Sequence, residues 1–463
     1  MNTKFFSNAY YYSLIYLALT IPFQLKFIPF SAGIISLGLL WFIGGNLLQK
    51  VKQFITNPYA IMLSAIYLFY LISIFYSENK SYAFNDLVLK LPLVLLPLFL
   101  STTKKLKTAQ YHTILRTFAI STFFAAIVTV IIAYYNYLQT GLLKHFFYHD
   151  LTIFMHSAYY ALYALFAIAI FIYLIHHTKN KNHIVIYAGM SFILVIFLFL
   201  LSSRMQLLIF FFFLTGYIIT LASHKRNILL GIGMLALGYT FIFILITSLP
   251  KTNKRINQTK SNLENINYSK TNTEARVKIW EAAFSVIKEN YLLGTGVGDV
   301  KDALISKYAE LSDKNPAQEK EISQKIIEIQ NYEKWFSHIK QKAKANNISV
   351  EDQLYIDAIY ILDANKSRYT YFIKKGYNYQ GQSLQTFASV GILGCIFLLF
   401  SLLFPALKLG WKKQDYLLCV LMLMLFASFI TESMLERQAG VILYAFFTSL
   451  VILSKKEISD KRV

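Results

Sequence analysis

The residues of this chain best suited to chemistry are a few ions set against apolar sequence. In RVKIWEAAFSVIKE, Arg276, Trp280, Ala283, Phe284 and Ile287 recur at the spacing of one helix face. An arginine on a stripe that faces apolar neighbours is costly unless it is paired. Two readings follow: it snorkels or meets a carboxylate, or its planar fork grips the oxygens of a phosphate-bearing substrate. Arg204 in LSSRMQ and Lys90 in KLPLVLLP stand where apolar runs meet their outward ends. Cations there run against the usual charge bias and are candidate sites, with interfacial snorkelling as the alternative. Glu432, Glu436 and Arg437 cluster in a late connection and read either as a site or as an ion-paired turn. His156 begins another apolar run, either as a hydrogen-bonded imidazole or as a proton acceptor, and His338 lies in a polar stretch as a weaker candidate. The cluster GTGVGD, Gly294 to Asp299, lacks both a following GK[ST] and a preceding strand, so it reads as a helix stop and tight turn, not a nucleotide loop.

The elements that must position these groups are set by composition. Of 463 residues, 56% are apolar and 15% charged, against about 25% charged in soluble domains, which excludes a soluble globular enzyme. Apolar runs of about 20 residues match the ~30 Å of a hydrocarbon core and exceed membrane strands. Twelve occur, at roughly 9–25, 30–48, 59–76, 87–100, 114–138, 153–175, 184–201, 205–223, 228–249, 384–404, 415–431 and 439–454. The expected fold is therefore an all-α integral membrane protein with about twelve transmembrane helices. Residues 1–249 hold helices 1 to 9, 250–383 form one large helical loop, and 384–463 hold helices 10 to 12 and a tail.

The net charge of +21 is first a matter of sidedness. Lys50, Lys52, Lys104, Lys105, Lys107, Lys179, Lys181, Lys225, Arg226, Lys408, Lys412, Lys413 and the lysines of the tail fall in alternate connections. This places both termini in the cytoplasm and the 250–383 loop outside, as in a bacterial periplasm; nucleic acid is not implied. Cys395 and Cys419 both lie in apolar runs and build neither a disulfide framework nor a metal site. The first apolar run lacks a small-residue cleavage site and reads as a retained span. The 39 Phe and 33 Tyr suit lipid and interface. Within the loop, Thr252 to Lys270 reads as mobile, Thr271 and Glu274 as a capping box opening the arginine helix, and 313–370 as one or two exposed helices.

RVKIWEAAFSVIKENYLLGTGVGD, the later SLQTFASVGILG, SSR at 202–204 and the closing TESMLERQAGV together resemble the O-antigen ligase and polymerase superfamily of bacterial membrane glycosyltransferases. The closing motif resembles its Bacteroidetes-type branch. The resemblance spans nearly the whole chain, with the arginine helix and trailing glycines its most specific part. It implies an inner-membrane, multi-pass enzyme that moves a glycan from undecaprenyl pyrophosphate, with inversion and without metal or cofactor. The acceptor it implies is lipid A core in a ligase or another lipid-linked glycan in a polymerase. Arg204 and Arg276 match the arginines credited with holding the pyrophosphate, where fixed cations stabilise the leaving group.

The chain departs from the family pattern in NYQGQSLQ, where Asn378, Leu384 and Gln385 fit but Gln380 stands in place of a histidine that assists the acceptor hydroxyl. An amide can orient a hydroxyl but not take its proton, and such assistance is worth about 10²–10⁴ in rate. Either His156 or Glu432 supplies the base, or bond breaking runs ahead of attack, or the chain has decayed as a transferase. The expected catalytic set is Arg276, Arg204 and Gln380, with Lys90, Trp280, Asn378, Gln385, His156 and Glu432 lining the substrate. A transporter is the remaining alternative; inverted repeats and broken helices with mid-membrane ions would favour it, whereas here the cations gather toward the outer edge and the long loop lies in one half only.

Overall fold

A computed structural model describes residues 3–24, 30–224, 228–248, 272–313, 319–346, 349–366, 372–373, 376–411 and 415–454, and every regular element among them is helical. Each of the twelve apolar segments is helical over most of its described residues. Among the described residues, six helices are long and apolar enough to cross a membrane, or seven with one bent pair, and further apolar helices are shorter. The chain is a multi-pass membrane protein in composition and architecture.

Local sequence explains where the helices start and break. Asn57 accepts from the amides of Tyr59 and Ala60 ahead of Pro58, and Asn79, Asn180 and Asp415 cap later helices in the same way. Helix α1 (Phe30–Ile43) is followed after Gly44, Gly45 and Asn46 by α2 (Leu47–Ile55), the pair bent by 116°. Gly45 and Asn46 both take positive φ there, a conformation glycine and asparagine tolerate. The fourth apolar run begins earlier than its hydropathy indicates: Lys80–Lys90 and Pro92–Thr102 form one candidate span, which puts Lys90 inside it.

Two helices run through the centre, α3 (Ser157–His176) and α4 (Gln438–Leu453), and both are buried nearly all round, as their lack of a polar face requires. Tyr163 of α3 donates to the Ala439 carbonyl at 2.8 Å. At one end of the bundle the lysine-rich connections come together. The Leu106 amide bonds the Ser454 carbonyl at 2.9 Å, Lys408 lies over the Tyr59 ring, and the His112 and His177 rings are 5.3 Å apart. The ionic groups singled out in the sequence gather at the opposite end.

The polar segment contributes helix α5 (Asn272–Glu289), which packs Ile279, Ala282, Ala283, Val286 and Ile287 against Val300, Leu304 and Tyr308 of α6 (Val300–Asp313) and against Ala388. The buried face is thus rotated from the expected stripe, and Phe284 is exposed. Among its described residues, the stretch expected to hold one or two helices holds three, Glu319–Asn331, Glu333–Asn346 and Val350–Lys366. Ile322, Ile329, Ile339, Leu354 and Ala358 form their common core, so the isoleucines of this polar stretch are packing residues. Thr252 to Lys270 and Thr271 lie outside the described residues.

Candidate active site

The glycine turn is the hinge of the site. After α5 the chain passes through Gly294 (φ +73) and Gly296 (φ +90) and lies directly on α7 (Gln382–Pro405), where Thr295 and Gly296 amides donate to the Ala388 and Ser389 carbonyls at 2.8 and 3.0 Å. On its other side, the amides of Val297 and Gly298 donate to Ser73 and Ser77 hydroxyls, and Asp299 accepts from the backbone amides of Glu78 and Asn79 at 2.7 and 2.8 Å. Glycine is needed because a Cβ at Gly296 would stand 2.3 Å from the Ser77 hydroxyl. GTGVGD is a helix stop and turn, as its sequence reads, and also a dock that fixes α5 to the bundle.

That dock uses a break in α7. Val390 and Gly391 leave helical geometry, and the Ile392 amide donates instead to the Tyr291 carbonyl at 3.1 Å. The broken helix therefore satisfies its freed backbone groups with the turn, which accounts for the break without an ion or transport site.

Arg276, in the first turns of α5, reaches the bundle end. Its Nε donates to Gln380 Oε1 at 3.3 Å, and its terminal nitrogen lies 3.7 Å from the Glu432 carboxylate, with the arginine side chain 41% exposed. The pairing expected of a bland arginine is thus present, yet the guanidinium keeps an open side. Gln380 has φ +47 and its amide donates to the Asn378 side chain at 3.2 Å, so the residue is held in the left-handed region beside the arginine. Glu432 follows α8 (Tyr416–Thr431). Burial raises its carboxyl above the ordinary range, while Arg276 and Arg437 pull it back down.

Arg204 begins α9 (Arg204–His224), after Ser202 at φ +49. Two residues on, Gln206 accepts from Ser203 and donates to Ser428 of α8 at 3.3 Å; the Ser428 carbonyl accepts from the Glu432 amide at 2.9 Å. A hydrogen-bonded path therefore joins the turn carrying Arg204 to the Glu432 that faces Arg276.

Lys90 is not a ligand-facing cation. Its side chain is fully buried, with Nζ 2.5 and 2.6 Å from the two Asp86 oxygens, 3.0 Å from Glu436 and 4.8 Å from the centre of the Tyr70 ring. The triad ties the fourth apolar run to the connection between α8 and α4. Asp86 lies four residues before Lys90, a spacing visible in the sequence, and this pair buries the cation that the sequence offers as a substrate ligand. Of that connection, Glu436 does form part of an ion-paired turn.

His156 caps α3: its Nδ1 accepts from the Ala158 amide at 3.4 Å, and its ring is 4.5 Å from that of His149. Burial, with His149 and Arg437 nearby, pushes its pKa down to about 4, so it is a neutral imidazole near pH 7. Trp280, one turn from Arg276, has a buried Nε1 without a hydrogen-bond partner among the described residues. Asn378 and Gln385 line a cavity of about 330 Å³ with Tyr82, Asp86, Lys301 and Glu436. His338 is exposed on the three-helix unit.

Compared with known families, residues 189–329 match the family model described as O-antigen ligase (Wzy_C). The matched range contains Arg204, Arg276, Trp280 and the glycine turn, and ends before Gln380 and Glu432. It supports the O-antigen ligase superfamily. No curated protein matches the chain.

Proposed function

We propose that this chain, a multi-pass membrane protein of the O-antigen ligase superfamily, is a glycosyltransferase that moves a glycan from undecaprenyl pyrophosphate to the hydroxyl of lipid A core. The observation that carries the reading is Arg276, held between Gln380 and Glu432 with an open side at the end of the bundle away from the lysine-rich connections. By the charge bias of membrane proteins, that segregation favours cytoplasmic termini and a periplasmic site in an inner membrane.

In the reaction the acceptor oxygen attacks the anomeric carbon as the bond from that carbon to the pyrophosphate oxygen breaks, with inversion. The electron pair of the broken bond goes to the pyrophosphate, whose growing charge Arg276 and Arg204 stabilise. The acceptor proton goes to Glu432, whose raised pKa makes it a better base than an ordinary carboxylate. Gln380 accepts from Arg276 and so orients the guanidinium; this suits its failure to act as a base. His156 holds a helix end, and its low basicity makes it the poorer choice for proton transfer.

The test is transfer by the purified, lipid-embedded protein from an undecaprenyl-linked glycan, with lipid A core and a second lipid-linked glycan offered in parallel. Glycan on core supports a ligase, and elongation of the lipid-linked glycan supports a polymerase. Absence of transfer to either overturns the proposal.

A further inference from the structure

We infer that the 330 Å³ cavity beside the Lys90 triad is a binding site for one neutral sugar ring, separate from the Arg276 cluster. The inference rests on the glycosyltransferase reading for its biological sense, and on the cavity alone for its chemistry. Three amide side chains, Asn85, Asn378 and Gln385, converge there with the carboxylates of Asp86 and Glu436. Amides donate to hydroxyls and accept from them, and carboxylates accept from them, the pairing a polyhydroxylated ring requires. The volume is at the lower end of the ~300–1,000 Å³ of ligand pockets, which suits one ring and not a chain.

Gln385 supplies an independent observation. Only 4% of it is exposed, and its buried Oε1 has no hydrogen-bond partner among the described residues. A buried amide oxygen left unsatisfied costs free energy, and a ligand hydroxyl donating to it removes that cost. The lining itself holds two carboxylates, Asp86 and Glu436, beside two cations, Lys301 and Arg437, so an anion entering it meets as many negative groups as positive ones. Lys90 fixes both carboxylates from behind, leaving their remaining lone pairs in set directions. Tyr82 offers a ring edge or face to the apolar side of a sugar.

The test is saturation-transfer NMR on the full-length protein in lipid nanodiscs, with methyl glycosides of glucose, galactose and mannose, N-acetylglucosamine and inorganic phosphate as separate probes. At least one neutral sugar is expected to receive saturation, falling about tenfold in Gln385→Leu and falling also in Asn85→Ala, whose exposed position spares the fold should the buried change disturb it. Arg276→Ala is expected to keep the sugar signal while losing transfer, which separates failure of the cavity from failure of the enzymatic reading. No sugar saturation in the wild type, a signal unaltered in Asn85→Ala, or a preference for phosphate would overturn the inference.

Discussion

The Arg276 guanidinium lies 3.7 Å from the Glu432 carboxylate, far enough apart for the pair to open toward a substrate anion. A half-buried pair this far apart contributes modestly to stability, so its value lies in what the two groups do when separated. In the proposed reaction, donor pyrophosphate would take over the arginine and free the carboxylate of the neighbour that pulls its pKa down.

Replacing Arg276 separates charge from geometry. Arg276→Ala is expected to lower kcat by about 10²–10³ with membrane insertion unchanged, and Arg276→Lys to fall between it and the wild type, since a lysine keeps the charge without the fork. Initial rates on the undecaprenyl-linked donor measure both. Wild-type turnover in Arg276→Ala rules out the clamp.

Glu432 has a pH signature. Its folded pKa is raised by burial, so activity is expected to decline as pH falls through that value and the base becomes protonated. Glu432→Gln should lose this acid limb and about 10²–10⁴ in kcat. In stability the sign is opposite. A carboxyl with a raised folded pKa favours the fold below its unfolded pKa, and that contribution disappears as pH climbs through the folded value; Glu432→Gln keeps it throughout. A pH–rate profile beside a pH series of thermal melts distinguishes a base from a packing residue.

Much of this arrangement was legible in the sequence, and the losses have physical causes. Continuous apolar runs with Asn and Asp caps mark the helices, because backbone groups in lipid leave little choice but helix. The break at Gly391 was not visible, since one glycine in an apolar helix is usually tolerated; only the approach of Leu292, whose carbonyl oxygen would lie 2.0 Å from a Cβ there, gives it a reason. Arg276, Trp280 and Glu432 stood out by type. The partnership of Lys90 with Glu436 could not, because it joins distant parts of the chain. The buried face of α5 is displaced toward Ile279 and Ala282, because Ala282 carries little hydropathy signal beside Phe284.

The Lys90 triad should respond unevenly to mutation. Lys90→Met leaves Asp86 and Glu436 facing each other without their counter-ion, and is expected to destabilise by about 3–5 kcal/mol. Removing all three charges in Lys90→Met, Asp86→Leu, Glu436→Leu should recover most of that loss. Thermal unfolding in one detergent measures the difference. A single variant as stable as the wild type would mean that the buried contacts are energetically idle.

His156 predicts an acid-side effect on the fold. Its folded pKa is about 4 and an unfolded histidine titrates near about 6.5, so the unfolded chain binds the extra proton first. Stability is therefore full above the unfolded value and is lost as pH falls from about 6.5 toward 4. His156→Gln is expected to flatten that part of the pH dependence while leaving the rate profile between pH 6.5 and 8 unchanged, since a neutral imidazole has no proton to lose there. Melting temperatures of both proteins across pH 4–8 measure the first outcome and initial rates the second. A rate limb near neutrality that vanishes with His156→Gln would instead make this imidazole the proton acceptor and move the base from Glu432 to the start of α3.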